Sequence, residues 1–323
     1  MKFLLRRIGF YLIAAWASLT LAFFVPRMMP GDPATALYAR FHGKLGPEAI
    51  ASLSKALGFS HDPLWKQYLV YLGHVLRGDL GISVTNFPAS VADVIGVALG
   101  WTVLLTGIAV VISFAIGTLL GIYASWKRNG ALDRIAPPVL NFLGSFPYFF
   151  LAMLALFFLG LGLKLFPLRH AYADYVAPGM SGEFIWSVAS HAFLPAATIV
   201  LVTLGGWMLN MRSTMVSVMG EDYITLAHAK GLTPNRVMFR YAARNALLPN
   251  VTSFGMALGF VLSGSLLTEI IFSYPGQGYL LYQAVRSLDY PLLQGLFLTI
   301  TLAVLGANFL VDVVYVWLDP RAR

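Results

Sequence analysis

The sequence has no cysteine among its 323 residues, and only 11% of them are charged, against about 25% in a soluble domain. The missing cysteine excludes a disulfide scaffold, a thiolate zinc site and cysteine redox chemistry, and it leaves the compartment undecided. The scarcity of charge, with 58% apolar residues and a mean hydropathy of +0.74, excludes intrinsic disorder and a water-solvated surface. Short chemical motifs are missing too. No G-x-x-x-x-G-K-[ST] loop is there to cradle a phosphate, because Gly43-Lys44 runs into Leu45. The 6 histidines form no H-E-x-x-H pair, and neither a G-x-S-x-G elbow nor a T-V-G-Y-G filter occurs. These gaps speak against a membrane enzyme and a potassium-type channel. No low-complexity tract or internal repeat stands out.

What the chain does have is apolar runs. About 20 residues of helix cross a hydrocarbon core of about 30 Å. Six stretches reach that length: Ile8 to Met28, Ile95 to Trp126, Ile135 to Leu163, His191 to Met211, Val251 to Phe272 and Leu292 to Trp317. The fold class is therefore all-α, a polytopic membrane protein with six transmembrane helices. The first run follows Lys2, Arg6 and Arg7 but is longer than a signal-peptide core and has no small-residue cleavage site, so it is read as retained. The turn sequence Pro30-Gly31-Asp32-Pro33 comes next.

The excess of 22 basic over 14 acidic residues reads as orientation rather than as a nucleic-acid footprint. With both termini in the cytoplasm, 13 Lys and Arg lie inside, while the short outer loops hold only Lys164, Arg169 and Arg286. Residues 1–94 are then a first span with a long extracytoplasmic loop, 95–318 a five-helix core and 319–323 a cytoplasmic tail. In that first loop Leu64, Tyr68, Tyr71, Leu72 and Val75 fall at helical spacing, as for a helix covering the outer membrane surface or a docking face for a soluble partner.

The cytoplasmic stretch from Met211 to Pro249 is long enough to contact something. Asp222 can cap a short helix, Tyr223 to Lys230 suit helix, and Gly231 suits a left-handed stop, with Lys230 in the last turn favoured by the helix dipole. Thr233-Pro234 then restarts a basic helix that Pro249 breaks. On chemistry alone this is equally an ordinary amphipathic connector.

Thr225-Leu226-Ala227-His228-Ala229-Lys230-Gly231, with Pro249 eighteen residues after the glycine, resembles the EAA loop of ABC importer permeases. Thr225 and Leu226 stand where a glutamate and an alanine are usual, and the gap to the proline is long; both features resemble the branch handling dipeptides, oligopeptides and nickel. Ala227 and Gly231 are the motif positions that carry over, with Pro249 as the far end. Pro30-Gly31-Asp32-Pro33, Arg77-Gly78-Asp79-Leu80-Gly81, Thr268 to Phe272 running into Tyr274-Pro275-Gly276-Gln277-Gly278, and Leu318-Asp319-Pro320-Arg321 resemble further signatures of that branch, in order along nearly the whole chain.

The resemblance implies a non-catalytic permease subunit in a bacterial or archaeal cytoplasmic (inner) membrane, working by alternating access. It implies a second homologous permease, two ATP-binding subunits that hold ATP and Mg, and an extracytoplasmic solute-binding protein. It implies no cofactor in this chain and no nucleic acid. The stretch of Tyr223, Thr225, Leu226, Ala227, His228, Ala229, Lys230 and Gly231 would be a coupling helix docked on the ATPase. The cargo implied is a dipeptide or oligopeptide, with nickel in some members. Gly205 to Arg212 differs from common dipeptide permeases and keeps short oligosaccharides open.

Polar residues inside the spans are candidates for the pathway or a gate, or for ordinary interhelical bonding. They are Glu269 with Ser273, Tyr274, Pro275 and Gly276 at an outer gate, Asn141 in the third span and Asn210 in the fourth. Asn308 and Asp312 share a face of the sixth span, and Gly117 and Gly121 suit close helix packing. The alternative class, an ATP-independent channel or secondary carrier, would place ionisable relays deep in the spans, which are almost free of charge.

Overall fold

The computed structural model describes residues 2–30, 48, 62–261 and 265–318, with side chains described from residue 7 to residue 309 within those ranges. The expected turn at Gly31-Asp32-Pro33, the tail 319–323 and the side chain of Asp312 lie outside the described residues. Among the described residues all regular structure is helical, apart from one isolated bridge between Ile82 and Ser90.

Among the described residues eleven helices follow in order: α1 Lys2–Met28, α2 Leu64–Leu76, α3 Val91–Trp126, α4 Ala131–Gly144, α5 Tyr148–Gly162, α6 Gly182–Val218, α7 Asp222–Ala229, α8 residues 234–261, α9 Leu266–Ile271, α10 Gln277–Arg286 and α11 Tyr290–Leu318. Among the described residues four are long and apolar enough on their own to cross a membrane: Arg7–Met28 of α1, α3, α6 and Tyr290–Phe309 of α11. These coincide with the first, second, fourth and sixth expected spans. At 37 residues α6 is far longer than the expected His191 to Met211, about 55 Å against a core of about 30 Å.

Two expected spans are not single continuous helices among the described residues. The third, Ile135 to Leu163, is two helices, α4 and α5, meeting at 93°. Pro147 supplies no N–H and pushes Phe146 out of the helical region, while both the N–H (3.0 Å) and the hydroxyl (2.8 Å) of Ser145 donate to the carbonyl of Asn141 and close α4. The fifth, Val251 to Phe272, is not one described helix. α8 is described as far as Val261, Ser265 has non-helical torsions (φ −106°, ψ 80°), and the short helix α9 starts at Leu266.

The bundle is organised by α3 against α6. A Cβ on Gly117 would lie 2.6 Å from Trp207 Cβ, and one on Gly121 would lie 2.6 Å from the Met208 carbonyl oxygen. The two glycines, one turn apart, form a notch into which the α6 backbone sinks, and the hydroxyls of Ser113 and Thr203 bond across the same seam at 2.7 Å. α4 packs on α6 where Gly205 meets Leu140, α8 packs on α11 where Gly259 meets Ala307, and α1 lies along α11.

The segment after α1 is tied to the bundle by polar and aromatic contacts. On α2, Tyr68 and Tyr71 pack against Phe23 of α1, as the helical spacing predicts, and the Tyr68 and Thr20 hydroxyls bond at 2.7 Å, but Leu64 of the same expected face stays exposed. α2 ends in a Schellman turn: Gly78 takes φ +75°, its N–H donates to Val75 and that of Asp79 to His74. The Gly81 N–H, and next the His74 ring, hold the Asp79 carboxyl below the usual carboxylate range. Asp289, fully buried, caps α11 by accepting the Leu292 N–H (3.2 Å) and also accepts the Ser83 hydroxyl (2.7 Å) and the Thr85 N–H (2.8 Å).

Gly121→Ala tests the notch. The added methyl meets backbone rather than a flexible side chain, so the expected cost is about 1–3 kcal/mol, read as a lower thermal unfolding midpoint in detergent. Alanine at Gly206, where a Cβ meets nothing within 4 Å, is the control expected not to lower the midpoint.

Candidate functional site

Two places in the fold gather the candidate residues, one at the α7 end of the bundle and one toward the opposite end. α7 is Asp222–Ala229, and its N-cap is Glu221 rather than the expected Asp222, which sits in the first turn where a carboxylate suits the dipole. Its far end is a second Schellman turn. Gly231 takes φ +73°, its N–H donates to the carbonyl of His228 (2.9 Å), and the Leu232 N–H donates to Ala227 (3.3 Å). The left-handed stop that the glycine predicted is present.

α7 has a buried back and an open front. Ile224 and Ala227 are 4% and 3% exposed and sit in an apolar cluster with Ile122 of α3, Met211 and Met215 of α6, and Val237, Met238 and Ala242 of α8. Tyr223, Thr225, Leu226, His228, Ala229, Lys230 and Gly231 are exposed. Two of the exposed residues also touch the bundle. The Tyr223 hydroxyl accepts a bond from the Asn245 amide at 3.0 Å, and the His228 ring stacks on Trp126 with centroids 6.2 Å apart. Ala227, a motif position expected against the ATPase, therefore faces inward. Its small side chain lets α7 lie close on α8, and the outward surface belongs to its neighbours.

Five residues beyond Asn245, Asn250 is 1% exposed. Its Oδ1 accepts the Asn210 amide, and its own amide donates to the Thr118 hydroxyl at 3.3 Å. Asn210 is thus part of a polar knot joining α3, α6 and α8. Asn141 is on the exposed surface of α4 and does not join it.

Toward the opposite end, Glu269 is fully buried. Its Oε1 accepts the Thr102 hydroxyl (2.9 Å), and its Oε2 accepts the N–H groups of Gly278 (2.7 Å) and Tyr279 (3.3 Å). The Thr102 hydroxyl accepts the N–H of Gln277 at 2.7 Å. The first three amides of α10 are thereby satisfied from α9 and α3, and the carboxylate lies at the positive end of the helix dipole. Gly276 packs directly on the carboxyl group, where any Cβ would overlap it. Ser273 holds the left-handed position (φ +45°) of a Schellman turn closing α9, with the Tyr274 N–H donating to the Glu269 carbonyl at 2.8 Å. The Tyr274 ring is fully buried and its hydroxyl has no partner among the described residues. Glu269, Ser273, Tyr274 and Gly276 are brought together as expected, with Pro275 beside them, and Glu269 acts there as a clamp on a helix start.

Among the described residues no group of three or more His, Asp or Glu side chains is placed to hold a metal ion. Residues 117–323 match the family model described as binding-protein-dependent transport system inner membrane component. The chain belongs to this family. It is 35% identical to the dipeptide transport system permease protein DppB of Escherichia coli strain K12, over 100% of this chain and 99% of that one. It is 32% identical, over the same shares, to DppB of Lactococcus lactis subsp. cremoris and to the di/tripeptide transport system permease protein DppB of Pseudomonas aeruginosa strain UCBPP-PA14. An inner membrane component of such a transport system fits the apolar helices and the missing phosphate loop, and it decides against the stand-alone channel or carrier.

Thr102, Asn245, Asn250 and Asp289 were not singled out from sequence. Thr102 is a polar residue inside an apolar run and Asn250 borders another, and that position is their only signal.

Glu269→Ala leaves the two amides and the Thr102 hydroxyl without their acceptor, at an expected cost of about 3 kcal/mol in thermal unfolding of the purified protein. Glu269→Gln keeps one acceptor oxygen and is expected to lose roughly half as much.

Proposed function

We propose that this chain is one membrane subunit of an ATP-driven importer for short peptides, and that α7 is the element that receives movement from an ATP-hydrolysing partner. The observation that carries this reading is the two-sided build of α7: an apolar back locked into three helices of the bundle, and an open front of Thr225, Leu226, Ala229 and Lys230. A short helix capped at its glycine end moves as a rigid body. Its displacement passes into α8 through the shared cluster and the Tyr223–Asn245 bond, then into α6 and α3 through Asn250.

In this reading the chain crosses the membrane six times, with α4 and α5 as one bent crossing and α8 with α9 as another. The basic bias puts α7 and both termini in the cytoplasm. A second permease pairs with this one, two ATP-binding subunits hold ATP and Mg, and an extracytoplasmic binding protein delivers the cargo. Dipeptides and short oligopeptides are favoured as cargo because the relatives carry dipeptide and di/tripeptide transport in their names. The segment from Gly205 to Arg212, which kept oligosaccharides open, is occupied with packing: Gly205 on Leu140, Met208 and Met211 fully buried, Asn210 on Asn250 and Arg212 paired with Asp133 at 2.6 Å.

Leu226→Asp places a charge on the 55% exposed front of α7 without touching its back. The expected outcome is a permease of unchanged thermal stability that retains its ATPase subunits on purification about tenfold less well. Full retention of the ATPase, with normal peptide-stimulated hydrolysis, would remove α7 from the interface.

A further inference from the structure

A recess of about 580 Å³ opens toward the end of the bundle opposite α7. Its walls are Val97 and Trp101 of α3, the loop from His170 to Pro178, and Pro275. That volume lies in the range of small-ligand sites. Aromatic rings form one side: Trp101 and Tyr172 lie 5.8 Å apart and tilted by 30°, and Trp101 is held edge-on by the buried Tyr274 at 6.1 Å. The loop is pinned at two points. The His170 N–H donates to the Phe272 carbonyl at the end of α9 (3.2 Å), and the Ala173 N–H donates to the Ser187 hydroxyl of α6 (2.9 Å).

Directly after the second pin stands Asp174. It is the only acidic residue lining the recess, no Lys or Arg lines it, and among the described residues no cation is paired with Asp174. An exposed carboxylate beside electron-rich ring faces is the chemistry that holds a primary ammonium. The pins hold the backbone of the loop that carries Asp174, so less ordering of that loop remains to oppose binding.

We propose that this recess is a subsite for the amino-terminal ammonium of the peptide cargo, with Asp174 as the counter-charge and Trp101 and Tyr172 as the ring wall. The proposal rests on the peptide reading of the cargo and adds a recognition element on the permease itself. A sugar would stack on the same rings but has no use for the carboxylate, which is why charge is the property to test.

The probes are dialanine and N-acetyl-dialanine, which differ in the ammonium. The assembled transporter in lipid nanodiscs, without its binding protein, is examined by saturation-transfer NMR, and the complete system in proteoliposomes by dialanine uptake. The expected result is saturation transfer to dialanine but little to its acetylated form, a loss of roughly tenfold in both dialanine signals for Asp174→Asn, and recovery in Asp174→Glu. Equal binding of the two probes, or an Asp174→Asn variant that binds dialanine like the parent, overturns the subsite. Loss of uptake with unchanged saturation transfer also overturns it, because the carboxylate then serves docking of the binding protein. Absence of both binding and uptake of dialanine in the parent protein strikes the peptide reading itself, a pattern distinct from failure confined to the Asp174 variants.

Discussion

A helix that ends in or near hydrocarbon has no water to take up its terminal N–H and C=O groups, and each one left bare costs several kcal/mol. Much of this structure answers that constraint. Among the described residues the helices break at Ser145–Pro147, at Ser265 and after Ile271, and the starts of α10 and α11 find protein partners. At α10 the partners come from far along the chain: Thr102 from α3 and Glu269 from α9. At α11 the partner is Asp289, which also holds the segment around Ser83. The two fully buried carboxylates among the described residues thus sit at helix starts, where charge is compensated by oriented amides.

The same constraint explains why small residues recur where helices cross. Lipid tails are as apolar as leucine, so helices associate by close contact and by polar bonds rather than by burial alone. Gly117 and Gly121 let α6 approach α3, and the bonds of Asn250 with Asn210 and Thr118 add polar bonding at the junction with α8. A bundle joined by such notches and knots consists of stiff pieces with few soft joints. That is the mechanical condition for a short helix such as α7 to move distant parts of the chain, since packed interfaces shift between discrete arrangements rather than deform continuously.

How much of this was legible beforehand differs by residue. Gly231 was readable because a left-handed helix stop has a local residue preference, and the Gly117 and Gly121 pair because helical spacing places them on one face. Glu269 was visible as a charge in an apolar run, but its partners were not, since Thr102 is 167 residues away in sequence. Ala227 was legible as a motif position, yet its inward direction follows from α8 passing behind it. The third span reads as continuous because its hydropathy is continuous, whereas Pro147 breaks it and the 93° bend is set by what α4 and α5 each pack against.

Sequence alone therefore determined that this is a helical membrane protein, where a capped helix turns at Gly231, and which transporter branch it resembles. Those properties are local: hydropathy, spacing and turn chemistry act over one or two helical turns. Only the tertiary structure decided that Glu269 clamps a helix start, that Asn210 belongs to a knot with Asn250, that α7 shows Leu226 outward and Ala227 inward, and that Asp174 shares a recess with Trp101. Each depends on segments far apart in sequence meeting in space, and the pairing of such segments is fixed by packing, which no local pattern encodes.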